Sequence, residues 1–253
     1  MIKVTIIGSG NVAQHLIGAF VKSNAVEIVQ VYSRKKQSIP ALPDFEKITD
    51  RLDNLDEADL YIIAVSDNAI AEVATKLPFK NRLVVHTSGS FPLDGLHENN
   101  RRGVFYPLQT FTKGKAVDFS NLPICLETEF GYDYIILDSV AKSISEKVYT
   151  INSEQRKSLH VSAVFVNNFV NHLYEIGYQI CTENQVSFDI LKPLIAETAE
   201  KIVTLSPDQA QTGPAKRHDS NTINSHLDFL TNENQKNIYR LLTQSIQEHG
   251  KKL

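Results

Sequence analysis

Lys3-Val4-Thr5-Ile6-Ile7-Gly8-Ser9-Gly10-Asn11-Val12-Ala13 decides how the rest of the chain reads. An apolar run stops at Gly8, and beyond Gly10 an amphipathic stretch continues from Val12 to Val21. The pattern is strand, tight turn and helix, with small residues spaced G-x-G-x-x-A. Gly8 permits the sharp turn, Gly10 lets the backbone approach a pyrophosphate, and Ala13 lets the helix sit close to the strand. The helix N-terminus then offers its free N–H groups to phosphate. A glycine-rich turn with no ligand would carry the same letters, but the strand-to-helix context is the one that dinucleotide binding requires. Gly8, Ser9, Gly10, Asn11 and Val12 are therefore the expected cradle.

Val26-Glu27-Ile28-Val29-Gln30-Val31-Tyr32 reads as the second parallel strand. Where NAD binds, such a strand usually ends in Asp or Glu, which accepts from the ribose 2′-OH. Here Ser33-Arg34-Lys35-Lys36 follows instead. A hydroxyl and three cations cannot accept as a carboxylate does. They suit a 2′-phosphate, which Arg34 can hold bidentately. An ordinary basic surface loop is the plainer alternative. Taken with the preceding turn, Ser33, Arg34 and Lys35 lead us to expect NADP(H) in preference to NAD(H).

Composition sets mild bounds. A chain of 253 residues can form one large domain or two modest ones. A formal net charge of −3 gives no reason to expect nucleic acid or an acidic membrane as partner. No stretch approaches the roughly 20 apolar residues of a membrane span. Met1-Ile2-Lys3 runs directly into the first strand, so the expectation is no signal peptide and a cytoplasmic setting. Cys125 and Cys181 lack C-x-x-C spacing and read as buried free thiols in a reducing compartment. The histidines show no metal-ligand spacing, so no metal site is expected.

Through residue 151, strands and helices alternate. Ala58–Val65, Arg82–His86, Gly103–Tyr106, Leu122–Leu126 and Lys147–Ile151 read as further strands, with helices over Ala69–Leu77 and Tyr132–Ser145. This alternation predicts an α/β fold with a doubly wound, mostly parallel sheet, whose ligand crevice lies at the carboxyl ends of the strands. Ser66, Asp67, His86, Thr87, Ser88 and Tyr106 would fall at that edge, and Val65, Ser66 and Ser88 extend the expected cofactor contacts.

From Ser153 onward strand signals almost vanish. Helical stretches are expected over Ser153–Glu183, Phe188–Leu205, Ser220–Thr231 and Glu233–His249, with Asn152 or Ser153 as the first N-cap. We therefore expect a nucleotide-binding domain over 1–151 and an all-helical domain over 152–253. On the first long helix, Val161, Phe165, Phe169, Leu173, Ile176 and Ile180 gather on one side at 100° per residue. His160, Asn167, Asn171, Tyr174 and Tyr178 gather on the other. That polar side holds no Lys, Glu or Arg, so it reads either as a solvated face or as an interface or pocket wall. Thr212-Gly213-Pro214 marks a loop, and Asp219 or Ser220 can cap the helix after it. Lys216 and Arg217 beside that helix start would make an anion-attracting corner, with a simple capped helix after a basic loop as the bland alternative.

These residues resemble the Rossmann-like proteins with a DUF2520 C-terminal domain, often labelled NADP oxidoreductases. The resemblance runs nearly the full length. It rests on Gly8–Ala13, on His86-Thr87-Ser88-Gly89, on Pro107-Leu108-Gln109-Thr110-Phe111 and on the helix carrying His160, Asn167 and Asn168. It is most specific at Thr212-Gly213-Pro214, Arg217-His218-Asp219, Thr222 and His226-Leu227, and in that helix with His160, Asn167 and Asn168. In fold such proteins are similar to pyrroline-5-carboxylate reductase and to the 6-phosphogluconate and 3-hydroxyisobutyrate dehydrogenases. The resemblance implies a Rossmann domain followed by a helical one, and a homodimer formed through the helices. It also exposes a departure. The dehydrogenase relatives place a catalytic Lys four residues before an Asn on this helix, where the present chain has Ala163 before Asn167 and Val164 before Asn168.

A reductase of this kind must find its proton elsewhere. His160 is the first candidate by residue type and His86 the second, while Asn167, Ser88 or Thr87 would orient a carbonyl or imine. The leading expectation is an NADP(H)-dependent oxidoreductase acting on a small polar metabolite in a cleft between the domains, with Lys216 or Arg217 holding an anionic group. A non-catalytic NADP-binding sensor or scaffold is the alternative from another class. A reductase using a deazaflavin is a third possibility, for which no second cofactor site is legible.

Overall fold

The structure, a computed structural model, describes residues 1–36, 38–42 and 44–249. It follows the alternation closely through the first 150 residues. In chain order the elements are β1 (Ile2–Ile7), α1 (Asn11–Phe20), β2 (Val26–Tyr32), β3 (Ile48–Thr49), β4 (Leu60–Ile63), α2 (Asp67–Thr75), β5 (Leu83–His86), β6 (Arg101–Pro107), β7 (Ile124–Thr128), α3 (Gly131–Lys142) and β8 (Val148–Thr150). The strands form one sheet in the order β3-β2-β1-β4-β5-β6-β7-β8. Every pairing is parallel except β6 with β7. Its first six strands have the doubly wound order of a dinucleotide-binding sheet. Strand β3 was not expected, because two residues are too few to show a period.

The period-2 geometry of a strand explains the two cores. On β4, Leu60 and Ile62 join α1, α3 and Phe105 on one face, while Tyr61 and Ile63 join α2 on the other. All four side chains are buried, as expected of a central parallel strand covered on both faces. Helix α1 buries Ala13, Leu16, Ile17 and Phe20, an i, i+3, i+4, i+7 stripe against the sheet.

The chain divides into two compact units, Met1–Asn167 and a second beginning at Asn168. Strand signal ends near residue 151 as expected, but α4 (Ser153–Ala163) packs with the first unit. Its Leu159 lies against Val104, Tyr106 and Cys125, and its Arg156 is buried. A capping box joins Asn152 to Gln155 at its start. The expected single helix to Glu183 is interrupted by a π-helical segment, Val164–Phe169. The extra residue per turn there breaks the 100° step, so a helical wheel drawn straight through misaligns the two ends.

The second unit, taken by itself, is helical. It holds α5 (Val170–Glu183), α6 (Lys192–Thr204), α7 (Pro207–Ala210), α8 (Ser220–Phe229) and α9 (Glu233–His249). Phe188–Leu191, expected to open α6, forms a 3₁₀ turn instead, N-capped by Ser187. Residues 250–253 of the expected helical domain lie outside the described residues.

Candidate functional site

At the carboxyl edge of the sheet, three strand ends are stitched together around Gly8. Its N–H donates to Tyr32 O at 2.9 Å, and Ala64 N–H donates to Ile7 O at 2.8 Å. Gly8 has φ +136°, and a Cβ there would lie 2.1 Å from the Ala64 carbonyl oxygen. Only glycine fits. At Gly10 a Cβ would meet nothing within 4 Å, so the backbone faces open space. Gly10 is also the N-cap of α1, which has neither a side-chain cap nor an acidic residue in its first turn. That leaves backbone donors and the positive end of the helix available to an anion.

A cavity of about 920 Å³ opens over this turn. It is lined by Gly8 through Val12, by Ser33, Arg34 and Lys35 beyond β2, and by Val65 and Ser66 beyond β4. Of the expected cofactor contacts, these ten residues come together here and Ser88 does not line it. Ser33 is buried, with its hydroxyl donating to Ser9 Oγ at 3.0 Å. Arg34 and Lys35 are exposed. The donor set fits a dinucleotide: backbone N–H groups and a helix start for a pyrophosphate, and cations where a ribose 2′ substituent would lie.

A second polar cluster lies beyond β5 and β6. The Ser88 hydroxyl accepts from the Ser90 and Phe91 N–H groups at 3.1 and 2.9 Å, and Ser90 Oγ donates to Asp67 Oδ2 at 2.6 Å. His86 is fully buried, edge-on to Phe91 at 5.2 Å between ring centroids. Its Nδ1 accepts from Ser88 N–H at 3.1 Å. Burial, reinforced by the Arg156 charge, lowers its pKa to about 3, so the ring is neutral around pH 7.

His160 on α4 meets Tyr106 at the end of β6, with Nδ1 3.1 Å from the phenol oxygen. Burial pushes the Tyr106 hydroxyl up to about 12 and keeps it protonated. Gly89 backs onto both rings, since a Cβ there would fall 2.5 Å from His160 Nδ1 and 2.7 Å from Tyr106 Cζ. One turn before His160, Arg156 is 1% exposed and pairs with Glu127. It also donates to Phe91 O at 2.7 Å, and Glu127 accepts from Ser153 N–H at 2.8 Å. Sequence reasoning placed Tyr106 at this edge but missed Arg156 and Glu127, because a lone Arg on a helix ordinarily reads as a solvated charge. Asn167 is exposed within the π-helical segment.

Cys125 is buried, with its thiol raised to about 11 by burial, whereas Cys181 is only half-buried, contrary to expectation. Among the described residues no group of three or more His, Cys, Asp or Glu side chains could hold a metal ion. Among them, too, no helix is long and apolar enough to cross a membrane. In the second unit Asp219 caps α8, accepting from Thr222 N–H at 3.1 Å and Oγ1 at 2.7 Å. Those bonds first, with Arg217 and His226 adding their charge, hold its carboxyl below the ordinary range. Lys216 is already paired with Asp208 at 2.9 Å, which weakens the expected anion-attracting corner.

Two family models match the chain. One, described as "NADP oxidoreductase coenzyme F420-dependent", covers residues 3–89, and the other, described as "Domain of unknown function (DUF2520)", covers residues 122–246. A solved structure from Bacteroides fragilis, described as a "putative NADP oxidoreductase", is 39% identical, with a TM-score of 0.88 and 98% of each chain covered. A Thermotoga maritima protein is 19% identical with a TM-score of 0.75, again over 98% of each chain. Pyrroline carboxylate reductase from Plasmodium falciparum, solved with NADP bound, is 12% identical with a TM-score of 0.61 over 98% of each chain. At those two lower identities the likeness concerns the fold alone. No curated protein matches the sequence.

Proposed function

This chain belongs to the family of NADP oxidoreductases that carry a DUF2520 domain, and from that premise we propose that it transfers a hydride between NADP(H) and the carbonyl or imine carbon of a small polar metabolite. One observation carries the reading: a single cavity gathers the Gly8–Val12 turn, the cations after β2 and the Val65-Ser66 segment after β4. In this reading the turn and the start of α1 hold the pyrophosphate. Arg34 and Lys35 hold the 2′-phosphate, where no carboxylate at the end of β2 offers itself to a bare ribose. The nicotinamide, when bound, supplies or receives the hydride.

The chain supplies the proton. His160 delivers it to the substrate oxygen or nitrogen as the carbon gains the hydride, so an alcohol or amine forms. Tyr106, kept as a phenol by burial, engages Nδ1 and leaves Nε2 for the substrate. Asn167 donates an amide hydrogen to the reacting carbonyl or imine. His86 is not the acid in this reading, because burial keeps it neutral. We further read the protein as a cytoplasmic homodimer formed through its helical unit, where Leu194, Val203 and Leu241 stay exposed on a single chain.

Titration of NADPH and NADH tests the premise, read by calorimetry or by the nicotinamide's own fluorescence since the chain has no Trp. Tighter NADPH binding by about tenfold or more is expected, about 1.4 kcal/mol. Oxidation of NADPH against a panel of keto acids, aldehydes and imines should then reveal turnover. Equal binding removes the 2′-phosphate argument, and binding of neither overturns the reading.

A further inference from the structure

We propose that Lys76, at the end of α2, is a specificity-determining residue that reads the 2′-phosphate together with Arg34. The proposal rests on the NADP(H) reading above. Helix α2 leaves the end of β4 and turns one face to the cavity: Ala69, Glu72, Val73 and Lys76 all line it. The spacing i, i+3, i+4, i+7 is that of one helical face. Seven residues at 1.5 Å each place Lys76 about 10 Å along the helix from Ala69. Ala69 and Val73, with Leu52 and Val65 from neighbouring segments, form an apolar wall suited to a flat base. Glu72 and Lys76 share that helical face with it.

Among the described residues the charged lining is Arg34, Lys35, Glu72 and Lys76, three cations and one carboxylate. Their net charge of +2 opposes a phosphate monoester, which carries about −1.5 to −2 at neutral pH. Lys76 Nζ donates to Glu72 Oε1 at 2.5 Å. That hydrogen bond and the Lys76 charge hold the Glu72 carboxyl below its ordinary range, and the Arg34 charge acts in the same direction. Arg34, beyond β2, and the Glu72–Lys76 pair, on α2, thus line one cavity from two different segments. A surface Glu–Lys pair spaced i, i+4 does little for the stability of a helix. On the cavity lining, it keeps a further cation on the wall of the site that Arg34 also lines. A phosphate dianion competes with a single carboxylate for Lys76, whereas a cofactor with a bare 2′-OH leaves the pair closed.

The test is calorimetric titration of NADPH and NADH into the intact wild-type chain, Lys76→Gln and Lys76→Arg. Lys76→Gln is expected to lower the NADPH:NADH affinity ratio about tenfold, through NADPH alone, as the loss of one charge-assisted contact implies. Lys76→Arg should hold the ratio within about threefold of wild type. A wild-type chain that prefers NADPH, with an unchanged ratio in Lys76→Gln, overturns the role of Lys76 and leaves the cofactor reading standing. A wild-type chain that binds both equally, or neither, overturns the cofactor reading and this inference with it.

Discussion

The turn after β1 and the turn after β5 invite comparison. Each follows a buried parallel strand at the carboxyl edge of the sheet, and each holds a glycine where no Cβ fits. What the missing Cβ would strike differs. At Gly8 it is the Ala64 carbonyl oxygen at 2.1 Å, in a backbone conformation already closed to most residues. At Gly89 it is the rings of His160 and Tyr106. Backbone just beyond a central strand cannot yield, but the buried Tyr106 ring and the half-buried His160 ring are side chains that can. The first glycine therefore secures the fold, and the second secures the placement of one imidazole.

Three substitutions can break or sharpen that contrast. Gly8→Ala should have the largest effect, costing more than about 4 kcal/mol or preventing accumulation of folded protein. Urea denaturation reads it, and near wild-type stability would erase the distinction. Gly89→Ala should leave stability and NADPH affinity close to wild type while lowering turnover about a hundredfold, matching His160→Gln. Loss of cofactor binding in step with turnover would show that the second turn does no separate job.

The smallest effect concerns His86, beneath the second turn. Its pKa of about 3 lies below the value near 6.5 expected in the unfolded chain, so as pH falls the unfolded state takes up a proton first. Its contribution is fully present above about pH 6.5 and is lost through the window down to pH 3. Between pH 7 and 5 the wild type should lose about 2 kcal/mol more than His86→Gln. Parallel pH profiles in urea would show the histidine to be no part of the acid limb.

The first turn was legible because its parts are contiguous. Gly8, Gly10 and the uncapped start of α1 follow one another, and Ser33–Lys35 occupies the next strand end by simple alternation. Glu72 and Lys76 are as readable, being spaced i, i+4 on a helix that starts at the same edge. The second cluster was not legible, since His160 and Tyr106 are 54 residues apart. A helical wheel grouped His160 with Asn167 and Asn171, but the π-helical segment between them changes the step. Nothing in the sequence marks Arg156 as buried, because its partners Glu127 and the Phe91 carbonyl come from distant segments.

Arg156 has a consequence for inheritance. By holding α4 to the strand ends, it keeps His160 in the same compact unit as the dinucleotide cavity. In the proposed reaction, hydride and proton are then handled by residues that fold together. Both duties thus ride on one folding unit, Met1–Asn167, and are inherited together.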